Sequence, residues 1–419
     1  MALQESILGV NDVTQTTAEA DRTAVGQTTF AVIMAVSFCH LLNDMMQSMI
    51  SALYPMLKDN YALDFAQIGF LGFAFQMTAS VLQPLIGWYA DKRPLPYSLS
   101  VGMGSTFVGL LLLAFAQAYW GLLVGAAFVG LGSAVFHPES SRVARIASGG
   151  RHGLAQSLFQ VGGNFGSAIG PLLAAFIVVP RGQVSVSWFS VAALVGMVIL
   201  WQVGTWYSKR ERSGVTKRLS VPTMTFSRGR VIGAITVLAV LVFSKQLYLV
   251  SLSSYYTFYL IEKFGTSVQD AQVLLFIFLG SVAIGTVIGG SFVDRLGTKL
   301  VIWLSILGAL PFTLAMPYVD FTWTVILTVV IGLIISVSFS AIVVFAQELV
   351  PGRVGMIAGV FFGLAFGVGG IGAAALGIVA DHKGIPFVYQ ICSYLPLLGL
   401  LTILLPPIGK GNKAVVSAR

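Results

Sequence analysis

Apolar stretches of about 20 residues follow one another from Phe30 to Pro406, separated by short polar interruptions. A helix needs roughly 20 apolar residues to cross the hydrocarbon core of a bilayer. Because that core offers the backbone no hydrogen-bond partner, runs of this length predict helices. Only 10% of the residues are charged, against about 25% in a soluble domain. The sequence therefore predicts an all-α membrane protein.

Twelve spans fit the apolar stretches. We predict them at 28–57, 64–90, 95–117, 119–147, 151–179, 185–207, 230–262, 267–293, 299–318, 321–349, 353–380 and 385–406. The longest polar interruption, 208–229, is basic and separates six spans from six. The predicted organisation is a cytoplasmic tail at 1–27, a six-helix bundle at 28–207, a cytoplasmic linker at 208–229, a second six-helix bundle at 230–406 and a cytoplasmic tail at 407–419.

The positive charges indicate the orientation of the chain. With both termini in the cytoplasm, 19 of the 24 Lys and Arg residues fall on the cytoplasmic side. Four fall outside, Lys58, Arg181, Lys263 and Lys383, and Lys245 lies within a span. This asymmetry follows the positive-inside rule. The net charge of +8 thus reflects topology, and we expect no nucleic-acid partner.

The two halves share an internal repeat. Four local matches occur in register, on the spans that a duplication of six helices would equate: Phe38-Cys-His40 with Phe243-Ser-Lys245, Gly87 to Asp91 with Gly290 to Asp294, Val135 to Glu139 with Val344 to Glu348, and Arg151 to Gly153 with Arg353 to Gly355. Parallel repeats of this kind are typical of transporters that rock around a central site. We therefore expect two pseudo-symmetric halves.

One segment of the repeat carries a loop signature. The ten residues from Gly290 to Lys299 fit the pattern G-x-x-x-D-R-x-G-x-K, and Gly87 to Arg93 repeats its front part, with Pro94 in place of a glycine. The chain in this respect resembles the major facilitator superfamily, which implies the major facilitator fold and alternating access. An acid followed by a base can form a charge-assisted latch between helix ends, and a solvated turn is the alternative. The predicted gating residues are Asp91, Lys92, Arg142, Asp294 and Arg295.

A glycine pattern in the fifth span bears on the direction of transport. Gly166-Ser-Ala-Ile-Gly170-Pro171 resembles the core of the antiporter motif of the superfamily. Ser157 replaces an upstream glycine, and Ala126 stands where drug–proton antiporters carry an arginine. Packing of small residues between helices is the alternative interpretation.

A narrower resemblance covers nearly the whole chain. Four segments carry it: His40 to Ser48, His137 to Arg145, Arg151 to Pro171, and Ser251 to Tyr259. They resemble the bacterial fosmidomycin resistance proteins. The resemblance implies proton-driven export, by antiport, of fosmidomycin and related phosphonates such as fosfomycin across the bacterial cytoplasmic membrane. Uptake of an organic anion by proton symport is the alternative, and a non-transporting sensor or an intramembrane enzyme is the alternative from another class.

Polar side chains at membrane depth indicate the substrate site, because such groups are costly there unless they face a partner or a watery cavity. In the first span these side chains follow i, i+3, i+4, i+7 spacing and so share one helix face. The predicted substrate-binding residues are His40, Asn43, Asp44 and Gln47 in the first span, Gln160 and Asn164 in the fifth, and Lys245, Tyr248, Tyr255 and Tyr256 in the seventh. For Lys245 the alternative is an ion pair with Asp44.

Proton coupling is predicted for Asp44, Glu139 and His137, with a structural pair between Glu139 and Arg142 as the alternative for the glutamate. Phe361, Phe362 and Phe366 are assigned to packing or lipid contact. The sequence shows no P-loop, dinucleotide glycine pattern or metal-ligand spacing, so we expect no cofactor, no metal and no enzyme activity. The expected partners are a small anion, protons and the lipid bilayer, with the monomer as the functional unit.

Overall fold

The computed structural model describes residues 28–63, 65–212 and 226–408. The predicted tail 1–27 lies outside the described residues, as do residues 213–225 of the predicted linker and 409–419 of the second tail.

Twelve helices in the described part of the chain are long and apolar enough to cross a membrane, which confirms the predicted span count. We number them α1 to α12: Phe30–Ala52, Phe65–Lys92, Ser98–Phe115, Tyr119–Ala147, His152–Arg181, Gln183–Arg212, Arg228–Phe264, Val268–Leu296, Thr298–Tyr318, Phe321–Leu349, Val354–Lys383 and Ile385–Leu404. Helices α1 to α6 form what we call the first half, and α7 to α12 the second half.

Several spans are interrupted where the sequence contains proline or small residues. The span predicted at 28–57 ends as a helix at Ala52, and a short helix with proline in its first turn follows at Tyr54–Tyr61, a position that suits proline. After Pro171, α5 widens into a π-helical turn at Ala174–Val178. Such turns open the regular hydrogen-bond ladder locally. The predicted boundaries otherwise differ from the helix ends by a few residues.

Helices α1 and α5 approach each other backbone to backbone. A Cβ atom added at Gly162, Gly166 or Gly170 would lie 1.9, 2.2 and 2.4 Å from carbonyl oxygens of α1. These oxygens belong to Ser37, Leu41 and Met45, respectively. Glycine at every fourth position therefore makes this contact possible, as small residues do between membrane helices. The fifth-span glycine pattern thus has the packing role that was its alternative interpretation, and it places the polar stripe of α1 against α5.

The two halves touch closely at one end of the molecule. An added Cβ at Gly87 of α2 would lie 2.2 Å from the carbonyl oxygen of Gly355 of α11. At the position related by the repeat, an added Cβ at Gly153 of α5 would lie 2.9 Å from the carbonyl oxygen of Gly290 of α8. We call the end that contains these two crossings the latch end.

Candidate substrate site and gate

A cavity of about 190 Å³ lies between the two halves. It brings together six of the predicted site residues: His40, Asp44, His137, Gln160, Asn164 and Lys245. Other lining residues come from α5, α7, α8, α10 and α11 and include Val282, Ser336, Phe339, Phe362 and Phe366. Both halves therefore contribute to one polar site.

Three side chains of the first half meet at the cavity wall, and we call His40, Asp44 and His137 the triad. The Nε2 atoms of the two histidines lie 3.2 Å apart. One carboxylate oxygen of Asp44 lies 3.3 Å from Nε2 of His40, and the other lies 3.4 Å from Nε2 of His137. All three residues are buried. Helices α1 and α4 supply these groups, and the sequence spacing alone did not show that they would converge.

Further hydrogen bonds hold the triad in place. The Nδ1 atom of His40 lies 2.7 Å from the carbonyl oxygen of Phe159, and Nδ1 of His137 lies 3.0 Å from that of Ser133. The amides of Asn43 and Gln47 donate to Oδ1 of Asp44 at 3.1 and 3.3 Å. Asn43 therefore contacts the Asp44 carboxylate by a hydrogen bond but does not itself line the 190 Å³ cavity.

Lys245 stands on the wall formed by the second half. Its side chain is buried, and its amine lies 4.9 Å from the ring centroid of Phe339, within the range of a cation–π contact. Among the described residues Lys245 makes no ion pair, so the alternative of a pair with Asp44 is not realised in this conformation. Within the part of the chain that the structure describes, the site thus contains a lysine amine without a carboxylate partner.

The three predicted tyrosines lie away from this cavity. Tyr248 and Tyr256 are buried in the apolar core of the second half, where the Tyr248 hydroxyl faces the sulfur of Met316 at 3.8 Å. The hydroxyl of Tyr255 donates to the carbonyl oxygen of Ala373 at 2.6 Å. None of them lines the 190 Å³ cavity. The tyrosines share helix α7 with Lys245, but this does not bring them into the cavity, because they face neighbouring helices of their own half.

Aromatic residues of the second half were missed as site residues. Phe362 and Phe366 were assigned to packing or lipid contact, but both line the cavity, and their rings lie 5.1 and 4.9 Å from the ring of His137. Phe361 does pack in the core. Adjacent phenylalanines in an apolar helix face different directions. The local sequence does not show which of these directions leads to the cavity and which to the core.

A second cavity of about 610 Å³ adjoins the first, since Asp44, Ser167 and Phe366 line both. It extends towards Tyr54 and Gly72, at the end of the molecule opposite the latch end. Gln47 lines this second cavity, as do the exposed residues Ser51, Phe73 and Ile371. The central site therefore communicates with the end opposite the latch end.

Two aspartates close the latch end. The carboxylate of Asp91 accepts hydrogen bonds from the backbone N–H groups of Gly355 and Met356 at 2.9 and 2.8 Å. The carboxylate of Asp294 accepts from Gly153 and Leu154 at 2.8 and 2.9 Å. Each acid thus caps the first turn of a helix in the opposite half, where free N–H groups and the helix dipole favour a negative charge.

The basic residues of the signature behave differently from the acids. The amine of Lys92 lies 3.6 Å from the ring centroid of Trp88, and Arg295 is exposed. Neither bonds to the opposite half within the described ranges. The expected acid–base latch is therefore an acid–helix latch, because the helix N-terminus already supplies the positive partner.

Glu139 belongs to the latch side of the molecule and does not line the 190 Å³ cavity. Its carboxylate lies 3.6 Å from Nη1 of Arg142 and accepts from the Ser98 hydroxyl at 3.4 Å. Nε of Arg142 lies 4.0 Å from the carboxylate of Asp91. The predicted pair between Glu139 and Arg142 is thus present, and it connects α4 to a latch. Proton transfer by Glu139 stays a prediction.

The sequence profile of the Major Facilitator Superfamily matches residues 36–374, with a second match over 238–418. The chain belongs to the Major Facilitator Superfamily. This result confirms the resemblance inferred from the loop signature, and it makes the protein a transporter and not an enzyme.

Two bacterial members of the superfamily are similar to this chain over most of its length. The transporter is 55% identical over 387 residues to the fosmidomycin resistance protein of Escherichia coli K12, covering 92% of this chain and 95% of the relative. It is 41% identical over 386 residues to the uncharacterized MFS-type transporter YfnC of Bacillus subtilis 168, covering 91% of this chain and 94% of the relative. The resemblance to fosmidomycin resistance proteins is thereby confirmed.

Solved structures support the same fold. The transporter is similar to the fucose:proton symporter FucP of E. coli, with a TM-score of 0.70 and 15% identity over 90% of this chain and 98% of that one. It is equally similar to the human organic anion transporter MFSD10, with a TM-score of 0.70 and 15% identity over 91% and 100% of the two chains. At this identity the likeness shows the fold alone.

Proposed function

We propose that this transporter exports small anionic compounds by proton antiport, with phosphonates such as fosmidomycin and fosfomycin as substrates. The observation that carries the proposal is the central cavity, where the buried cation Lys245 of one half faces the triad of the other. We place the protein in the bacterial cytoplasmic membrane with the latch end in the cytoplasm, as the positive-inside asymmetry favours.

The chemistry of the cavity suits an anion. Burying an ammonium group at membrane depth is costly unless a partner compensates it, and Lys245 has no carboxylate partner within the described residues. A bound phosphonate would supply the missing charge. The amides of Gln160 and Asn164 can donate to its oxygens, while Phe339, Phe362 and Phe366 offer an apolar surface to the rest of the molecule.

The conformation fits one state of an alternating-access cycle. The latch end is closed by the two acid–helix caps, and the cavities extend to the opposite end. With the latch end in the cytoplasm, this state faces outward and is the one from which an exported substrate would leave. Loading from the cytoplasm requires both caps to break, so that the halves separate at the glycine crossings.

The name of the E. coli relative, a fosmidomycin resistance protein, supports export. A transporter can confer resistance to a compound by removing it from the cell, and the inward proton gradient can drive the removal. Uptake by proton symport stays the alternative, and the sign of proton coupling separates the two.

A flux experiment tests both the substrate and the coupling. Proteoliposomes loaded with fosmidomycin should release it faster when the outside is made more acidic than the inside, whichever way the protein is inserted. Protein-free liposomes and liposomes with Lys245→Ala serve as controls. Faster release only when the inside is the more acidic side would indicate symport, and release unaffected by either gradient would refute proton-driven transport of fosmidomycin.

A further inference from the structure

We propose that the triad is a binding site for one divalent transition-metal ion of the Zn²⁺ class, with one coordination position open to the cavity. His40, Asp44 and His137 supply one ligand atom each, and these atoms lie close enough together to hold an ion. The inference goes beyond the export of anions and does not depend on it. It also departs from the sequence-based expectation that no metal site is present.

The distances between neighbouring ligand atoms are close to those of a coordination shell. The closest contacts among the three groups are 3.2, 3.3 and 3.4 Å. Ligands at roughly 2.0–2.1 Å from a tetrahedral Zn²⁺ lie about 3.3–3.4 Å from one another. The 3.3 and 3.4 Å contacts involve different oxygens of Asp44, so the carboxylate must turn to present one oxygen to the ion, and the ligand atoms all lie within 4.8 Å of one another.

The hydrogen bonds at the far side of each ring orient its Nε2 atom towards the other ligand atoms. A backbone carbonyl can only accept, so the 2.7 Å contact of His40 Nδ1 with Phe159 makes that nitrogen a donor. Nδ1 of His137 contacts both the carbonyl oxygen and the hydroxyl of Ser133, and the tautomer in which it donates to the carbonyl leaves Nε2 free for a metal. In a neutral imidazole the other nitrogen, Nε2, then carries a lone pair. With both rings neutral in this tautomer, two lone pairs and a carboxylate face one another, which is the donor set that a metal cation requires. Histidine ligands of metal sites are typically oriented by such carbonyls.

The surroundings keep the ligand atoms in position. The ring of His40 stacks on that of Phe159 with centroids 4.1 Å apart, and the amides of Asn43 and Gln47 hold the carboxylate. An added Cβ at Gly163 would lie 2.5 Å from the His40 ring and 2.8 Å from the carboxylate. A side chain at position 163 would therefore collide with the triad, and glycine leaves the space that the His40 ring and the Asp44 carboxylate fill.

Access and charge favour an ion with a free coordination position. The triad lines the central cavity, and Asp44 also lines the larger one. Three protein ligands leave the fourth tetrahedral position for water or an anionic oxygen. A divalent ion gives the triad a net charge of +1, and Lys245 on the opposite wall adds another. A proton in place of the ion would leave the triad neutral, so the metal matches a dianionic ligand better.

Metal binding can be measured without transport. The purified full-length protein, stripped with a chelator, is titrated with Co²⁺, whose visible spectrum distinguishes four-coordinate from octahedral sites. We expect one four-coordinate Co²⁺ per chain, displaced by Zn²⁺. His137→Gln and His40→Gln should each weaken binding by more than about 10-fold. His382→Gln is the matched control, because this exposed histidine lies at the end of α11, and it should bind as the wild type does.

A second measurement needs no variant and so does not depend on how the variants fold. X-ray absorption at the zinc edge of the wild-type protein should show two imidazole ligands at about 2.0–2.1 Å. Binding that survives both histidine substitutions, or a shell of sulfur or of oxygen alone, would place the metal elsewhere and overturn the proposal. Absence of Co²⁺ and Zn²⁺ binding would overturn it as well. Neither result would bear on anion export, which the flux experiment measures separately.

Discussion

Lys245 is the single residue on which the proposed anion site depends most. Replacing it with alanine removes a buried cation, which favours membrane insertion but deletes the partner of the anion. We expect Lys245→Ala to abolish export at normal expression, read as loss of cellular resistance to fosmidomycin. Lys245→Arg should restore only part of the activity, because the planar guanidinium has a different shape and hydrogen-bond geometry.

The matched control for this prediction is Lys383→Ala, which removes an exposed lysine from the end of α11. It should leave export unchanged. If Lys245→Ala exported like the wild type, and Lys383→Ala did the same, the assignment of Lys245 to the anion site would be wrong.

Two phenylalanines separated by five positions offer a test of which aromatic residues belong to the cavity. Phe366 lines it, whereas Phe361 is fully buried in the core. Phe366→Ala should raise the KM for export several-fold with little loss of stability. Phe361→Ala should instead destabilise the fold by about 3–5 kcal/mol, the usual cost of deleting a buried phenyl ring. Transport kinetics and thermal unfolding in detergent distinguish the two, and equal effects would contradict the assignment.

At the scale of the helices, the contact between α1 and α5 is set by glycine. Gly166→Ala would place a Cβ 2.2 Å from the Leu41 carbonyl oxygen, so the helices must separate. We expect a loss of about 1–3 kcal/mol, the typical cost of overpacking, measured by thermal unfolding. Gly233→Ala in α7 is the control, because nothing lies within 4 Å of the added atom.

The control substitution should be neutral or slightly stabilising, since alanine is the better helix former. The same separation of helices would displace the polar stripe of α1, so export by Gly166→Ala should fall as well. If both glycine substitutions had the same effect on the unfolding temperature, the close approach of α1 and α5 would not be a source of stability.

At the scale of the whole molecule, the two acid–helix caps bias the equilibrium between conformations. Both bridge the halves only while the latch end is closed. Asp294→Asn weakens one cap by about 1 kcal/mol, so we expect a several-fold shift towards the state that is open at the latch end. Turnover should slow, while binding of fosmidomycin in detergent should change by no more than a few-fold. Asp91→Asn should behave similarly because the repeat relates the two sites.

Asp320→Asn provides the control for the latch. Asp320 also caps a helix, accepting from the N–H of Trp323 at 2.9 Å, but both residues belong to the second half. This cap does not depend on how the halves are arranged. Distances between spin labels on the two halves should therefore shift in Asp294→Asn and not in Asp320→Asn, and a shift in both would contradict the latch.

The sequence by itself determined the number of spans and the duplicated plan, and it indicated several residues that line the central cavity. Apolar length and helical spacing are local properties, so the stripe of α1 and the isolated charge of Lys245 were visible without coordinates. The loop signature likewise indicated the two acids, because their type and position recur in both halves.

Only the tertiary structure decided which of these groups meet. His137 joins His40 and Asp44, Glu139 turns towards Arg142, and the predicted tyrosines face away from the cavity. Asp294 finds a helix N-terminus as its partner. Contacts between helices depend on the rotation and depth of each helix, which are fixed by close packing at positions such as Gly166. Local spacing within one helix does not contain that information, because it specifies a face but not what the face meets.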